Sequence, residues 1–249
     1  MKNEEYELMF RAEREHWWYQ GMEVISRSLI EKYYPKAGTL KILDAGCGTG
    51  GMTAVLGEYG LVYGLEISPL ALGFCRRRNQ ANLSCGSVDR LPFQSDRFDL
   101  ITSFDVLCIK GLDDERILEE FKRVLVPGGR VFLRLPACPW LRGAHDRAVD
   151  IGQRYRIDSL REKIIRAGLL VEHLTYANMW LFPLAVLKRG LEFILPSQEG
   201  SDLTWSLGSF NGIFKTILSS EAYLVPRMSL PIGLTAVAIA RKIRSRVDE

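Results

Sequence analysis

The stretch ILDAGCGTGG, Ile42 to Gly51, decides the fold. A strand-like run from Leu40 to Leu43 stops at Asp44, and Gly46, Gly48, Gly50 and Gly51 follow, with a short helix expected from near Met52. A loop so poor in side chains lets a ligand meet backbone N–H groups at a helix N-terminus. Alone, it suits NAD, FAD or a nucleoside cofactor equally. Thr49-Gly50 stands where a phosphate-binding P-loop needs Gly-Lys-Ser/Thr, which argues against a nucleotide triphosphatase.

Working outward, the chain alternates strands with helices. LVYGLE (61–66) reads as a second strand closed by Glu66, twenty residues after Gly46, where a carboxylate can accept from ribose hydroxyls. A helix over 69–80 follows with Pro69 in its first turn, then a weak strand at LSCGS and a strong one at FDLITSF (98–104). A helix over 113–125 has an acidic start and a basic end, with Pro127-Gly128-Gly129 as its stop before the strand RVFLRLP (130–136). Asp158 is the expected N-cap of a helix ending at Gly168, and LLVEHLTYA and LTAVAIARK (234–242) complete the strands. The alternation predicts an α/β, doubly wound, largely parallel sheet. At the N-terminus, residues 1–37 read as helical, with Trp18, Met22, Ile25 and Leu29 on one face.

Composition bounds the function. The chain has 249 residues, 47% hydrophobic and 25% charged, enough for one domain with a sizeable core. Net charge +3 is far from a nucleic-acid footprint, and the basic run Arg76–Arg78 reads as a solvated helix end. Five scattered cysteines without metal spacing fit a reducing, cytoplasmic setting and no metal site. No signal peptide is expected, and the apolar stretch 179–195, broken by Pro183, Lys188 and Arg189, is not expected to insert stably in a membrane.

Four segments in order, ILDAGCGTGG, YGLEISPLAL, GSVDRLPFQSDRFDLITSFDVL and VLVPGGRVFLRLP, resemble the successive motifs of class I S-adenosylmethionine (SAM) dependent methyltransferases from about residue 40 to 136. The resemblance implies a Rossmann-like seven-stranded, mostly parallel sheet and S-adenosyl-L-methionine as methyl donor, with S-adenosyl-L-homocysteine as product. It implies that Asp44 and the loop Gly46, Cys47, Gly48 and Gly50 line the methionine part, and that Glu66 holds the ribose. Ile67 would pack on the adenine, Asp89 would accept from its amino group beside Val88, and Phe104 and Asp105 would face the sulfonium.

HWWYQGM (16–22), LPACPWLRGAHDRAVDIGQRYR (135–156) and LPIGLTAVAIARK (230–242) are similar to one bacterial branch of that family. Met22 replaces the branch's Arg after HWWFxG, so another cation, Arg11 or Arg14, is expected to grip the donor's carboxylate. Ile151 and Gln153 depart from the branch's His and Arg, while His145, Asp146, Arg154 and Tyr155 are kept. His145 is the candidate base, with Asp146 or Tyr155 beside it; a structural role for His145-Asp146 is the alternative. His16, Trp17, Tyr19, Arg154 and Trp180 are the candidate substrate contacts. The aromatic block either packs the N-terminal helix or walls the sulfonium.

The expected organisation is a helical cap at 1–38, a core at 39–178 containing an active-site loop at 137–157, a lid at 179–230 before the last strand, and a strand with basic tail at 231–249. The expected function is O- or C-methylation of a small, apolar or amphipathic acceptor within a biosynthetic pathway, by a monomer or homodimer without nucleic-acid partner and with at most peripheral membrane contact. The Asn-Pro-Pro-Tyr type signature of amino-group methylation is absent after the fourth strand. A SAM-binding regulator or a cyclase or isomerase on the same scaffold is the alternative, and a nicotinamide oxidoreductase a third reading.

Overall fold

The computed structural model describes residues 3–35, 38–194 and 210–244, with side chains from residue 5 onward except 144–145 and 191–194. The side chains of Phe193 and Ile194 in the expected lid, together with Trp205 and the basic tail beyond Arg244, lie outside what is described. Seven strands form one sheet: β1 (Leu40–Ala45), β2 (Gly60–Glu66), β3 (Leu83–Cys85), β4 (Phe98–Phe104), β5 (Leu125–Pro136), β6 (Leu169–Ala177) and β7 (Thr235–Lys242). Their order is β3-β2-β1-β4-β5-β7-β6, and only β7 runs antiparallel to its neighbours. The order reverses between β1 and β4, so the crevice outside their carboxyl ends is where such a sheet takes a ligand.

The central strands are buried on both faces, as parallel strands must be. Leu43, Ile101 and Leu133 pack on one side against α5 (Asp114–Val124) and α7 (Ile157–Arg166). Ile42, Leu100 and Phe132 pack on the other against α2 (Trp17–Tyr33) and α9 (Asn211–Leu224). On α2 the expected face holds: Met22, Ile25 and Leu29 are fully buried. The N-terminal helix breaks at His16, which is extended and N-caps α2 by accepting from Trp18 N–H at 3.3 Å, leaving α1 (Asn3–Glu15) as a separate element.

Three local expectations are corrected. Pro127-Gly128-Gly129 does not precede β5 but lies inside it: the strand leaves α5 directly at Leu125, and the β4–β5 register shifts there. Gly129 is needed because β4's backbone is close; a Cβ there would sit 3.0 Å from Phe98 O. Asp158 lies within the first turn of α7 and pairs with Arg156, which occupies the cap position. Arg78 is not solvated; its side chain is 8% exposed. The segment after β6 divides into α8 (Phe182–Ile194) and α9. The latter packs so closely on α2 that a Cβ at Gly21 would lie 2.6 Å from Leu218. Among the described residues no helix is long and apolar enough to cross a membrane.

Candidate active site

A cleft of about 1460 Å³ opens at the switch point. Its floor begins with the glycine loop, which β1 delivers over α3 (Gly51–Leu56). Gly46 has φ +84, and a Cβ there would strike the Val106 side chain. Gly48, Gly51 and Cys47 also face the cleft; Cys47 Sγ lies 3.9 Å from the buried Cys75 Sγ. Gly50 does not face the cleft: its N–H donates to Cys47 O at 2.9 Å, and a Cβ would meet Gln80 and Cys75 on the far side. Glu66 lies across the loop, accepting from Gly48 N–H at 3.1 Å and Ser68 N–H at 3.0 Å. These bonds fix the carboxylate at the cleft wall with lone pairs left for ribose hydroxyls.

Beyond Glu66 the cleft is walled by Ile67, which is 65% exposed, and by Ser87 and Val88. Asp89 does not line it; its carbonyl accepts from Arg116 Nε at 3.1 Å instead. At the other end Asp44 is buried and accepts from Thr53 Oγ1 at 2.6 Å and Thr102 Oγ1 at 2.9 Å. Desolvation pushes its carboxyl up from the usual range, and the two hydroxyls oppose that. Phe104 and Asp105 close β4, with Asp105 at φ +60 and bonded to Arg134 of β5 at 3.0 and 3.2 Å.

The roof was not visible in the sequence. Glu13 of α1 accepts from Thr49 Oγ1 at 2.6 Å and Arg78 Nη2 at 2.7 Å, while Arg78 Nε donates to Thr49 O at 3.0 Å. These contacts staple α1 over the glycine loop, and burial raises the Glu13 carboxyl above its ordinary value. The only cue was the run Arg76–Arg78, too common to assign to Glu13, 65 residues away.

At the acceptor end, His16, Trp17 and Tyr19 face the cleft, and Trp17 packs on Phe214 of α9 with centroids 5.6 Å apart. Leu181, Leu184 and Leu187 supply an apolar wall, with Lys110, Arg154 and Lys215 around it. Trp180 does not line the cleft; it is half exposed and its N–H donates to Glu221. Asn178 does line it, 1% exposed, and its Oδ1 has no hydrogen-bond partner. Ile151 adds apolar surface, bridging Ile109.

His145 falls in α6 (Ala144–Ala148), and its side chain lies outside the described residues. Asp146 is buried and accepts twice from Arg154, at 2.7 and 2.9 Å, and from Gly143 N–H at 2.9 Å. It orients Arg154 rather than facing the cleft. Tyr155 is likewise removed from the cleft: it is 2% exposed, with its hydroxyl on Asp114 Oδ2 at 2.9 Å and Leu107 O at 3.0 Å. Gln153 joins that network through Asp114 and Tyr155, and Lys163 supplies its positive charge. Tyr155→Phe is therefore expected to cost about 1–3 kcal/mol of stability, the penalty of a broken buried network, with cofactor affinity unchanged. Urea unfolding and ligand titration of the variant check both halves.

Residues 43–133 match the model of a family described as a methyltransferase domain. Over these residues the chain is similar to a methyltransferase domain. An uncharacterized methyltransferase of Schizosaccharomyces pombe is 30% identical over 180 residues, 61% of this chain and 64% of its own. A ubiquinone biosynthesis O-methyltransferase of Coxiella burnetii is 27% identical over 129 residues, 47% of this chain and 55% of its own. The chain thus spans less than two thirds of the length of these curated relatives. An S-adenosylmethionine dependent methyltransferase from Mesorhizobium loti shares the fold, with TM-score 0.57, 18% identity and coverage of 87% and 95% of the two chains. The cofactor of such a methyltransferase domain is S-adenosylmethionine, and the cleft fits it: a loop where Cβ atoms are excluded, a pinned carboxylate at β2, and an apolar shelf at Ile67 and Val88.

Proposed function

We propose that this chain transfers a methyl group from S-adenosylmethionine to oxygen or carbon of a small, apolar or amphipathic acceptor carrying an anionic end. The observation that carries this reading is the continuity of one cleft, about 1460 Å³, from Glu66 and the glycine loop to the apolar wall of α8. A single small ligand takes roughly 300–1000 Å³, so donor and acceptor fit side by side. In this reading Asp44, Gly46, Cys47, Gly48 and Gly51 hold the methionine part, Glu66 the ribose, and Ile67 with Val88 the adenine.

When bound, the donor supplies an electrophilic methyl on a sulfonium that leaves as a neutral thioether. The chain's own contribution is then position and exclusion of water. Trp17, Trp18 and Phe104 form aromatic surface by the methyl; α1 and α8 close the cleft on two sides. Lys110 and Lys215 favour an anionic acceptor, and Asn178 offers its buried amide to a polar atom of it. The name of the Coxiella burnetii relative supports transfer to oxygen. Where the acceptor loses a proton, His145 takes it, and His145→Ala removes the fall in rate on the acid side of the pH–rate profile.

The test is incubation with methyl-labelled donor and a panel of hydroxylated and enolic small molecules bearing apolar tails. Release of S-adenosylhomocysteine with label in the product supports methyl transfer. Consumption of an acceptor with unchanged mass would point instead to a rearrangement on the same scaffold.

A further inference from the structure

Arg134 is a cation in the wrong place for a structural residue. It lies on β5 among buried apolar neighbours, its side chain 8% exposed. Alternation along β5 puts it on the same sheet face as Phe132, which belongs to the core under α2. Its guanidinium lies 4.5 Å from the Phe104 ring centroid and 5.1 Å from that of Trp18. Nε and Nη2 both donate to Asp105 Oδ2. No described residue accepts from Nη1, and Arg134 lines the cleft. A nine-tenths buried guanidinium, oriented by one carboxylate and held between two rings, therefore presents a free edge to the cleft.

The sheet register locates that edge. Asp44 pairs with Thr102 across β1 and β4, and Phe104 pairs with Arg134 across β4 and β5. Arg134 thus stands two strands across and two residues along from Asp44, about 12 Å at the usual spacings, within reach of an arginine side chain and a bound group between them. The alternatives are poor. Arg11 is exposed and paired with Glu7; Arg14 lines the cleft but is exposed, where a carboxylate pair is screened by solvent. Arg78 is committed to Glu13, Thr49 O and Phe10 O, which hold α1 on the glycine loop, and Arg154 is committed to Asp146 and Ala137 O. Met22, at the position where an arginine was expected by resemblance, points fully buried into the core one turn after Trp18.

Resting on the donor reading above, we propose that Arg134, positioned by Asp105, binds the carboxylate of the donor's methionyl end. The cation missing at Met22 is supplied from the sheet rather than by Arg11 or Arg14. A bidentate guanidinium–carboxylate pair in this desolvated site is strong and geometrically selective.

The experiment compares S-adenosylhomocysteine with 5′-methylthioadenosine, the same nucleoside thioether without the amino acid end, by calorimetric titration of the wild type, Arg134→Met and Arg134→Lys. Arg134→Met is expected to weaken S-adenosylhomocysteine by about 10- to 100-fold and methylthioadenosine by less than about twofold. Arg134→Lys keeps the ion pair with Asp105 and falls between. Retained methylthioadenosine binding shows that a variant is folded. Equal loss for both ligands in Arg134→Lys would overturn the proposal in favour of a purely structural role. Unchanged S-adenosylhomocysteine affinity would overturn it in favour of an anionic acceptor as the partner of Arg134. If neither ligand bound the wild type, the donor reading itself would fail, a result distinct from both.

Discussion

Glu66→Ala is expected to lower the affinity for S-adenosylhomocysteine by about a hundredfold or more. Two effects combine. The carboxylate at the end of β2 is placed to accept from a ribose diol, and each charged hydrogen bond is worth about 1.5–3 kcal/mol. Its removal also frees Gly48 N–H and Ser68 N–H, which it now holds at 3.1 and 3.0 Å, so the glycine loop loses its anchor to β2. Glu66→Gln keeps one carbonyl acceptor and is expected to lose less. In a thermal-shift assay the ligand should raise the wild-type melting temperature and leave that of Glu66→Ala nearly unchanged. Equal shifts in both would remove Glu66 from the site.

The largest stability effect is expected at Glu221. Its side chain on α9 is fully buried and accepts N–H groups from Asn178, Met179 and Trp180 at 2.6, 2.7 and 2.9 Å. That turn carries Asn178 at φ +60 and leads into α8, so the bonds hold both the cleft wall and the α9 packing. Glu221→Ala leaves the three donors without their acceptor, at a cost of about 3–5 kcal/mol. At roughly 2–4 °C per kcal/mol for a chain of this size, the melting temperature should fall by about 10 °C. The same site gives a pH signature. Desolvation, the largest cause, raises the Glu221 carboxyl above its ordinary 4.5, and the three N–H groups oppose the rise. The folded state then binds the proton more tightly than the unfolded one. The wild type's stability relative to Glu221→Gln should therefore fall as pH rises from about 4.5 through the raised value, and stay level above it. Denaturant titrations of the two proteins across that window check the sign.

What could be read in the sequence was local. The glycines, Glu66 and the alternation of strands with helices each sit within a short window, so a doubly wound, largely parallel sheet followed from them. The pairings that build the roof and walls did not. Glu13 meets Arg78 and Glu221 meets Asn178 across 65 and 43 residues, with no periodicity linking them. Asp146 and Tyr155 were expected beside a base at His145; in the fold they turn inward, one onto Arg154 and the other onto Asp114. Arg134 did leave a signal. In RVFLRLP it shares a face with Phe132, and a charge on a buried apolar face asks for a partner.

The central claim is that the cleft at the β1–β4 switch point holds a nucleoside thioether. Its most direct test is calorimetric titration of S-adenosylhomocysteine, and separately of NAD, into the wild-type protein. The account predicts one site per chain for S-adenosylhomocysteine, with a dissociation constant in the micromolar range or below, and no heat from NAD. Absence of S-adenosylhomocysteine binding to the folded protein, or binding of NAD instead, would contradict it.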